Sequence, residues 1–249
     1  MIYLMVTLSV LIPVHDPNQE YEDYISDALS SISIQKHKPD QVLLVANHEI
    51  SYLESLRSRF RDTLEIEFKI SQANSAAENI NFGVRESKGQ FVKLLFQDDK
   101  LIGDDCLTES LRPLLSNRFK WSVVGSASVD RTSQKVVSSI FPKYTRKIIL
   151  GTNLIGAPSV VCFNKDFYVS MDPELKYMFD CDWYLRMAHN FGKPFEVKRI
   201  AVDIGVHDGQ ATHWAKDLTT VELQILDRNH KRKSFFPRLN KVNCTCLVN

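Results

Sequence analysis

Three runs in the first hundred residues, LSVLIPV (8–14), QVLLVAN (41–47) and QFVKLLF (90–96), are short and almost wholly apolar. Continuous apolar runs of about four to eight residues suit strands covered on both faces, as inside a parallel sheet. Between them the spacing turns helical. Tyr24, Ile25, Leu29 and Ile32 mark a helix over roughly 20–36, a second helix is predicted over 51–61, and LEIEFKI (64–70) alternates as a further strand. Ser75 followed by Glu78 is a capping-box pattern opening a helix to about 87, which Gly89 ends. Such alternation on short links implies an open α/β sheet, mostly parallel, with right-handed crossovers. Ligands in these sheets sit beyond the carboxyl ends of the strands. Three segments then face one crevice: Pro13 to Asp16, Ala46 to Glu49, and Gln97 to Asp99.

The second half is less regular. Asp104 is placed to cap a helix to about 116, and WSVVGSASVD and KVVSSIF read as strands of a small antiparallel element. GTNLIGAPSVVCF (151–163) is a glycine-containing loop feeding a strand, and FDCDWYLRMAHNFG (179–192) an amphipathic helix closed by Gly192. FEVKRIAVDIGVHDG gives a strand and a turn. A last helix is predicted over 213–229, before the basic tail HKRKSFFPRLNKVN.

At 249 residues, 44% apolar and 24% charged, the chain can bury a substantial core. A formal charge of +1 gives no global field for nucleic acid, and no nucleic-acid partner is expected. The apolar start MIYLMVTLSVLIPV lacks the basic region and small-residue cleavage site of a signal peptide, so a buried first strand is the better reading. Cys106, Cys162, Cys181, Cys244 and Cys246 are scattered and odd in number, which suits a reducing compartment rather than a disulfide framework. Cys244-Thr245-Cys246 reads as two free thiols, and the Asn243 sequon as chance.

The run FVKLLFQDDKL stops on two adjacent carboxylates, Asp98 and Asp99. Such neighbours raise each other's pKa unless a cation or a set of donors compensates them. Either they are solvated turn residues, or they serve something positive.

Here the chain resembles the GT-A fold, family 2 type glycosyltransferases. The resemblance is carried by LSVLIPVHDP, ALSSISIQKHKPDQVLLVAN, NSAAENINFGVRESKGQFVKLLFQDDKL, GAPSVVCFNKDF and FDCDWYLRMAHNFG, in the family's order over about residues 8–210. It implies a Rossmann-like mixed sheet flanked by helices, with a small antiparallel element and a C-terminal helix. It also implies inverting transfer of a sugar from a nucleotide-diphosphate donor (UDP-, GDP- or dTDP-linked) to a hydroxyl on a saccharide or lipid-linked acceptor. A divalent metal, Mn²⁺ or Mg²⁺, would take up charge on the departing diphosphate. On this reading 1–212 is the transferase domain, split into a nucleotide-binding half (1–100) and an acceptor-side half (101–212), and 213–249 is the C-terminal helix and tail.

Residue by residue, the resemblance places the metal on Asp99 and puts Asp98 at the ribose or the metal's water shell. Gln97 stands where an acid is common. Asp180, six residues before Arg186, falls on the catalytic base, with Asp182 as an orienting or acceptor-binding partner. His207 sits in a turn where relatives often carry a histidine near metal and diphosphate. Gly156, Ala157, Pro158 and Ser159 resemble the loop beneath the acceptor and donor sugar, where an ordinary turn before a strand is the other reading. Pro13, His15, Asp16, Asn47 and Asn79 line the donor side, although Ala46-Asn47-His48-Glu49 replaces the acidic pair usual there. The tail cluster His230-Lys231-Arg232-Lys233 with Phe235-Phe236 has two readings: a solvated tail, or contact with an anionic membrane, which would put a cytoplasmic protein at the inner membrane face. Two other functions stand beside transfer. A nucleotidyltransferase would open with a glycine-rich phosphate loop, and LIPVHDPNQE has no glycine. A non-catalytic nucleotide- or carbohydrate-binding relative is suggested by the eroded acidic positions.

Overall fold

The computed structural model describes residues 7–208 and 216–230. The three apolar runs form β1 (Leu8–Val14), β2 (Gln41–Ala46) and β4 (Phe91–Leu94), buried at nearly every position. They lie side by side and parallel, with β3 (Ile66–Ile70) on the outer edge beside β2. The intervening helices are α1 (Glu22–Ser33), α2 (Leu53–Phe60) and α3 (Ala76–Glu86). The Ser75 hydroxyl accepts from the Glu78 amide at 3.2 Å, and the Glu78 carboxylate accepts from the Asn74 amide, so the cap forms as its residue types require.

Beyond β4 the sheet changes sense. Strand β8 (Val161–Asn164) runs antiparallel to β4, β6 (Trp121–Asp130) antiparallel to β8, and β9 (Phe195–Val206) parallel to β6. A two-residue strand β5 (Lys100–Leu101) closes that edge, and β7 (Val136–Ile140) pairs with β6. The order among the described residues is β3-β2-β1-β4-β8-β6-β9-β5. The hairpin of β6 and β7 is antiparallel as its sequence suggests, but β6 belongs to the main sheet rather than to a separate layer. Helix α4 (Cys106–Leu111) is shorter than predicted. Asp104 ion-pairs with Lys36 at 3.3 Å, Asp105 takes the N-cap position, and Pro113 turns the chain into a 3₁₀ segment. Helix α5 (Phe179–Phe191) ends at Gly192, which has φ +84°. Helix α6 (Thr219–His230) meets α5 through His230, 2.8 Å from Asp182.

These pairings bring the carboxyl ends of β1, β2, β4, β6 and β9, and the amino end of β8, to one edge of the sheet. Cys106, Cys162 and Cys181 are buried free thiols. No helix among the described residues is long and apolar enough to cross a membrane. Lys231 to Lys233, Phe235, Phe236, Cys244 and Cys246 lie outside the described residues.

The link from α3 into β4 depends on close approach at Gly89. Its amide donates to the Ser9 hydroxyl at 2.8 Å, which in turn bonds Gln41 at 2.7 Å. A Cβ there would collide with the Ser9 amide and stand 2.8 Å from the Leu8 carbonyl carbon and the Phe91 oxygen. Backbone cannot yield as a side chain can, so Gly89→Ala should destabilise the fold by about 1–3 kcal/mol, read as a lower urea midpoint with unchanged slope.

Candidate active site

The loop after β4 is locked into its neighbours from both sides. Gln97 accepts from the His15 amide at 2.7 Å and donates to the His15 carbonyl at 3.0 Å, joining the tips of β4 and β1. Asp99 turns inward and is only 2% exposed. One of its oxygens accepts from the Ser159 hydroxyl and the other from the Gly205 amide at 2.9 Å. Burial, with Asp98 beside it, holds its carboxyl well above the ordinary range, against the pull of these donors and of Arg131. Both oxygens of Asp99, where the resemblance places the metal, are thus engaged inside the protein.

Asp98 takes the outward position. Its Oδ2 lies 3.1 Å from His207 Nε2, and both side chains keep some exposure, 16% and 13%. The His207 ring lies against Tyr24 and Tyr21, at centroid distances of 5.1 and 5.6 Å. Arg131 donates to the Asp98 carbonyl at 2.5 Å and pairs with Asp203 at 3.0 Å, fixing the loop from the β6–β9 side. Gly205 is required here, because a Cβ would collide with the Asp98 carbonyl and stand 2.7 Å from Arg131 Nε.

Lys93 is fully buried within the apolar run of β4. Its amine donates to the carbonyls of Leu94, at 2.9 Å, and Ser159, and burial draws its pKa down. Ser159 therefore serves Lys93 with its carbonyl and Asp99 with its hydroxyl.

The same loop reaches the second acid. Asn153 donates to Asp180 Oδ2 at 3.0 Å and to the Gly156 carbonyl at 3.1 Å. Gly156, at φ +108°, also accepts from the Tyr184 hydroxyl at 3.0 Å. Ala157 is half-buried and Pro158 buried. Residues 153–159 thus touch Asp180 at one end and Asp99 at the other. Asp180 is half-buried near the start of α5, its Oδ1 accepting from the Cys181 amide at 2.7 Å. Burial pushes its carboxyl up to about 6, against the Cys181 hydrogen bonds, and Glu222 adds to the rise.

Three expected site residues do other work. Asp182 is fully buried, with Arg186 at 2.6 Å and His230 at 2.8 Å engaging its two oxygens. Burial alone would raise its carboxyl; His230 and Arg186 hold it below the ordinary range. His230 correspondingly belongs to α6 and this pair, not to a free basic tail. Asp16 is buried, accepting from the amides of Glu20 and Tyr21, each at 2.8 Å, and from the Tyr52 hydroxyl. Asn79 is buried too: it donates to the Val45 carbonyl at 2.8 Å and accepts from Ser71 at 2.7 Å, stapling the ends of β2 and α3. Pro13, half-buried at the end of β1, with exposed His15 and Asn47, remains at the rim. Asn47 bonds the Ala73 carbonyl at 3.2 Å and His48 at 2.8 Å.

No family model and no curated protein matches the chain. Solved structures do. Residues 1–349 of S. aureus TarS in complex with UDP-GlcNAc match with a TM-score of 0.68 at 15% identity, over 91% of this chain and 68% of that one. The mannosyltransferase PcManGT from Pyrobaculum calidifontis, in complex with GDP-Man and Mn²⁺, matches with a TM-score of 0.65 at 13% identity, over 91% of this chain and 65% of that one. The fold is GT-A-like. At this identity the likeness is one of architecture, and the chain spans about two thirds of those structures' length.

Sequence reasoning missed Arg131 and Gly205 as supports of this loop, and it read Ser159 only as part of the Gly156-Ala157-Pro158-Ser159 turn. Lys93 carried a signal, a lone cation inside FVKLLF. The raised Asp180 carboxyl makes a linkage prediction. Its protonated form is favoured in the fold, so its contribution is intact below the unfolded value near pH 3.8 and lost as pH rises through about 6. Asp180→Asn should therefore gain stability relative to wild type across that window, by up to roughly 3 kcal/mol at pH 7, measured by denaturant unfolding at a series of pH values.

Proposed function

We propose that this chain is a metal-assisted glycosyltransferase that moves a sugar, with inversion, from a nucleotide-diphosphate donor to an acceptor hydroxyl. The observation that carries the reading is the single loop 153–159, bonded to Asp180 at one end and to Asp99 of the acidic doublet at the other. A base and a leaving-group site joined through one short loop are what a one-step displacement needs, because acceptor and diphosphate occupy opposite sides of the reacting carbon. The UDP-GlcNAc and GDP-Man complexes of the GT-A-like neighbours support a nucleotide-sugar donor.

The residues present fit a divalent cation. Asp98 Oδ2 and His207 Nε2 are one oxygen and one imidazole nitrogen, 3.1 Å apart and partly exposed. Such ions take one or two protein ligands and complete their shell with phosphates and water. Asp98 and His207 would hold Mn²⁺ or Mg²⁺, with Asp99 supporting the loop from below. The ion would supply Lewis-acid stabilisation of the departing diphosphate, as the Mn²⁺ in the mannosyltransferase complex suggests.

The chain's own groups do the rest. Asp180 takes the proton of the acceptor hydroxyl; burial lifts its carboxyl to about 6, a value suited to a base near neutrality. Asn153 orients its Oδ2. The Gly156-Ala157-Pro158 turn underlies the acceptor and donor sugar. His15 and Asn47 face the nucleotide; the amide of Asn47 carries both a donor and an acceptor and can read a base edge without charge. Asp16 and Asn79 shape this wall through the backbone they bind. The 1–212 transferase unit, with its two halves, and a cytoplasmic setting belong to the same proposal.

A thermal-shift series with UDP-GlcNAc and GDP-mannose, with and without Mn²⁺, tests donor and cation together. Asp98→Ala and His207→Ala should each weaken Mn²⁺-dependent binding on the order of ten-fold or more. Asp180→Asn should keep donor binding and lose about 10²–10⁴ in turnover. Binding without turnover of either donor in the wild-type chain would favour a non-catalytic nucleotide-binding relative instead.

A further inference from the structure

One buried carboxylate lies outside this scheme. Glu222, on α6, is 3% exposed. Its Oε1 accepts from the amides of Lys176 at 2.8 Å and Tyr177 at 3.2 Å, and its Oε2 from those of Tyr177 at 3.0 Å and Met178 at 2.7 Å. These are the three amides that lead into α5, whose N-cap residue Met178 makes no side-chain cap of its own. Charge-assisted bonds from a carboxylate to several amides are short and strong, so the conformation of this turn is set by a residue 44 or more positions away. Asp180 stands two residues further on. Helix α6 grips α5 again through His230, 2.8 Å from Asp182, which Arg186 holds from the other side.

We propose that α6 is a working part of the site and that Glu222 is the positioning residue for Asp180. Seated on the 176–178 amides, it fixes the direction in which Asp180 projects and keeps a negative charge behind it. The inference rests on reading Asp180 as the base. The groups that meet Asp180 are Asn153 and the Cys181 amide on its two oxygens, the Cys181 thiol and Tyr184 on its own helix, and Glu222 across from it. Burial keeps Cys181 a thiol and Tyr184 a phenol. Among these groups Glu222 carries the charge, so removing that charge should ease ionisation of Asp180.

The test reads this without a known acceptor. The stability difference between the full-length chain and Asp180→Asn, followed from pH 4 to 8, changes with pH until it levels off where Asp180 titrates in the fold. Measured again with Glu222→Gln in both chains, that levelling-off point should fall by about half a pH unit or more. Glu222→Asp, with the same charge on a shorter arm, should give a smaller fall of the same sign and carries the test if Glu222→Gln does not fold. Unchanged levelling-off points overturn the inference, because a helix that merely packs would alter stability without moving them. UDP release from UDP-GlcNAc with Mn²⁺ separates the two readings. Normal turnover by Asp180→Asn would sink the base and leave the clamp standing. Loss of that turnover with an unmoved levelling-off point would sink the clamp alone.

Discussion

A carboxylate withdrawn from water must be protonated, paired or surrounded by donors. Asp99 meets that condition by drawing three parts of the chain together: its own loop after β4, Ser159 ahead of β8 and Gly205 near the end of β9. The three are far apart in sequence and belong to strands that the sheet brings close. Satisfying this one group therefore sets the floor of the cleft, and Asp98, its neighbour, is left facing the opening. Lys93 extends the arrangement downward, since its amine and the Asp99 carboxyl meet on the same serine. Two groups that would each be costly alone are reconciled through Ser159.

The parallel half of the fold was legible because its signals are local. LSVLIPV, QVLLVA and FVKL are strands for their unbroken apolarity, and Ser75 with Glu78 forms the cap its spacing describes. The partnership of β6 with β9 could not be read in the same way. Parallel neighbours far apart in sequence leave no shared local pattern, and WSVVGSASVD looks no different beside β8 than in a separate hairpin. The site shows the same division. Asp98 and Asp99 stood out by their place at the end of an apolar run, and Asp180 and His207 only through the family resemblance. Which of two adjacent carboxylates turns inward depends on Gly205, more than a hundred residues later, and no pattern around QDD records it.

A second regularity links the two ends of the molecule. Asp16 gathers the amides of Glu20 and Tyr21 ahead of α1, and Glu222 gathers those of residues 176–178 ahead of α5. Neither helix makes a side-chain cap of its own at its N-cap residue. In both places a buried carboxylate orders the turn that feeds a helix, once from the same loop and once from a distant element. Acidic residues here are used at least as much to organise backbone as to meet a ligand.

Gln97 has a consequence of its own. It receives the amide hydrogen of His15 and returns one to the same residue's carbonyl, as a further rung of a β ladder would. An ionised acid at that position could accept but could not donate, so the rung needs an amide side chain. Charge has been exchanged for a cross-tie: one neutral side chain joins the tips of β1 and β4 through both of its polar atoms.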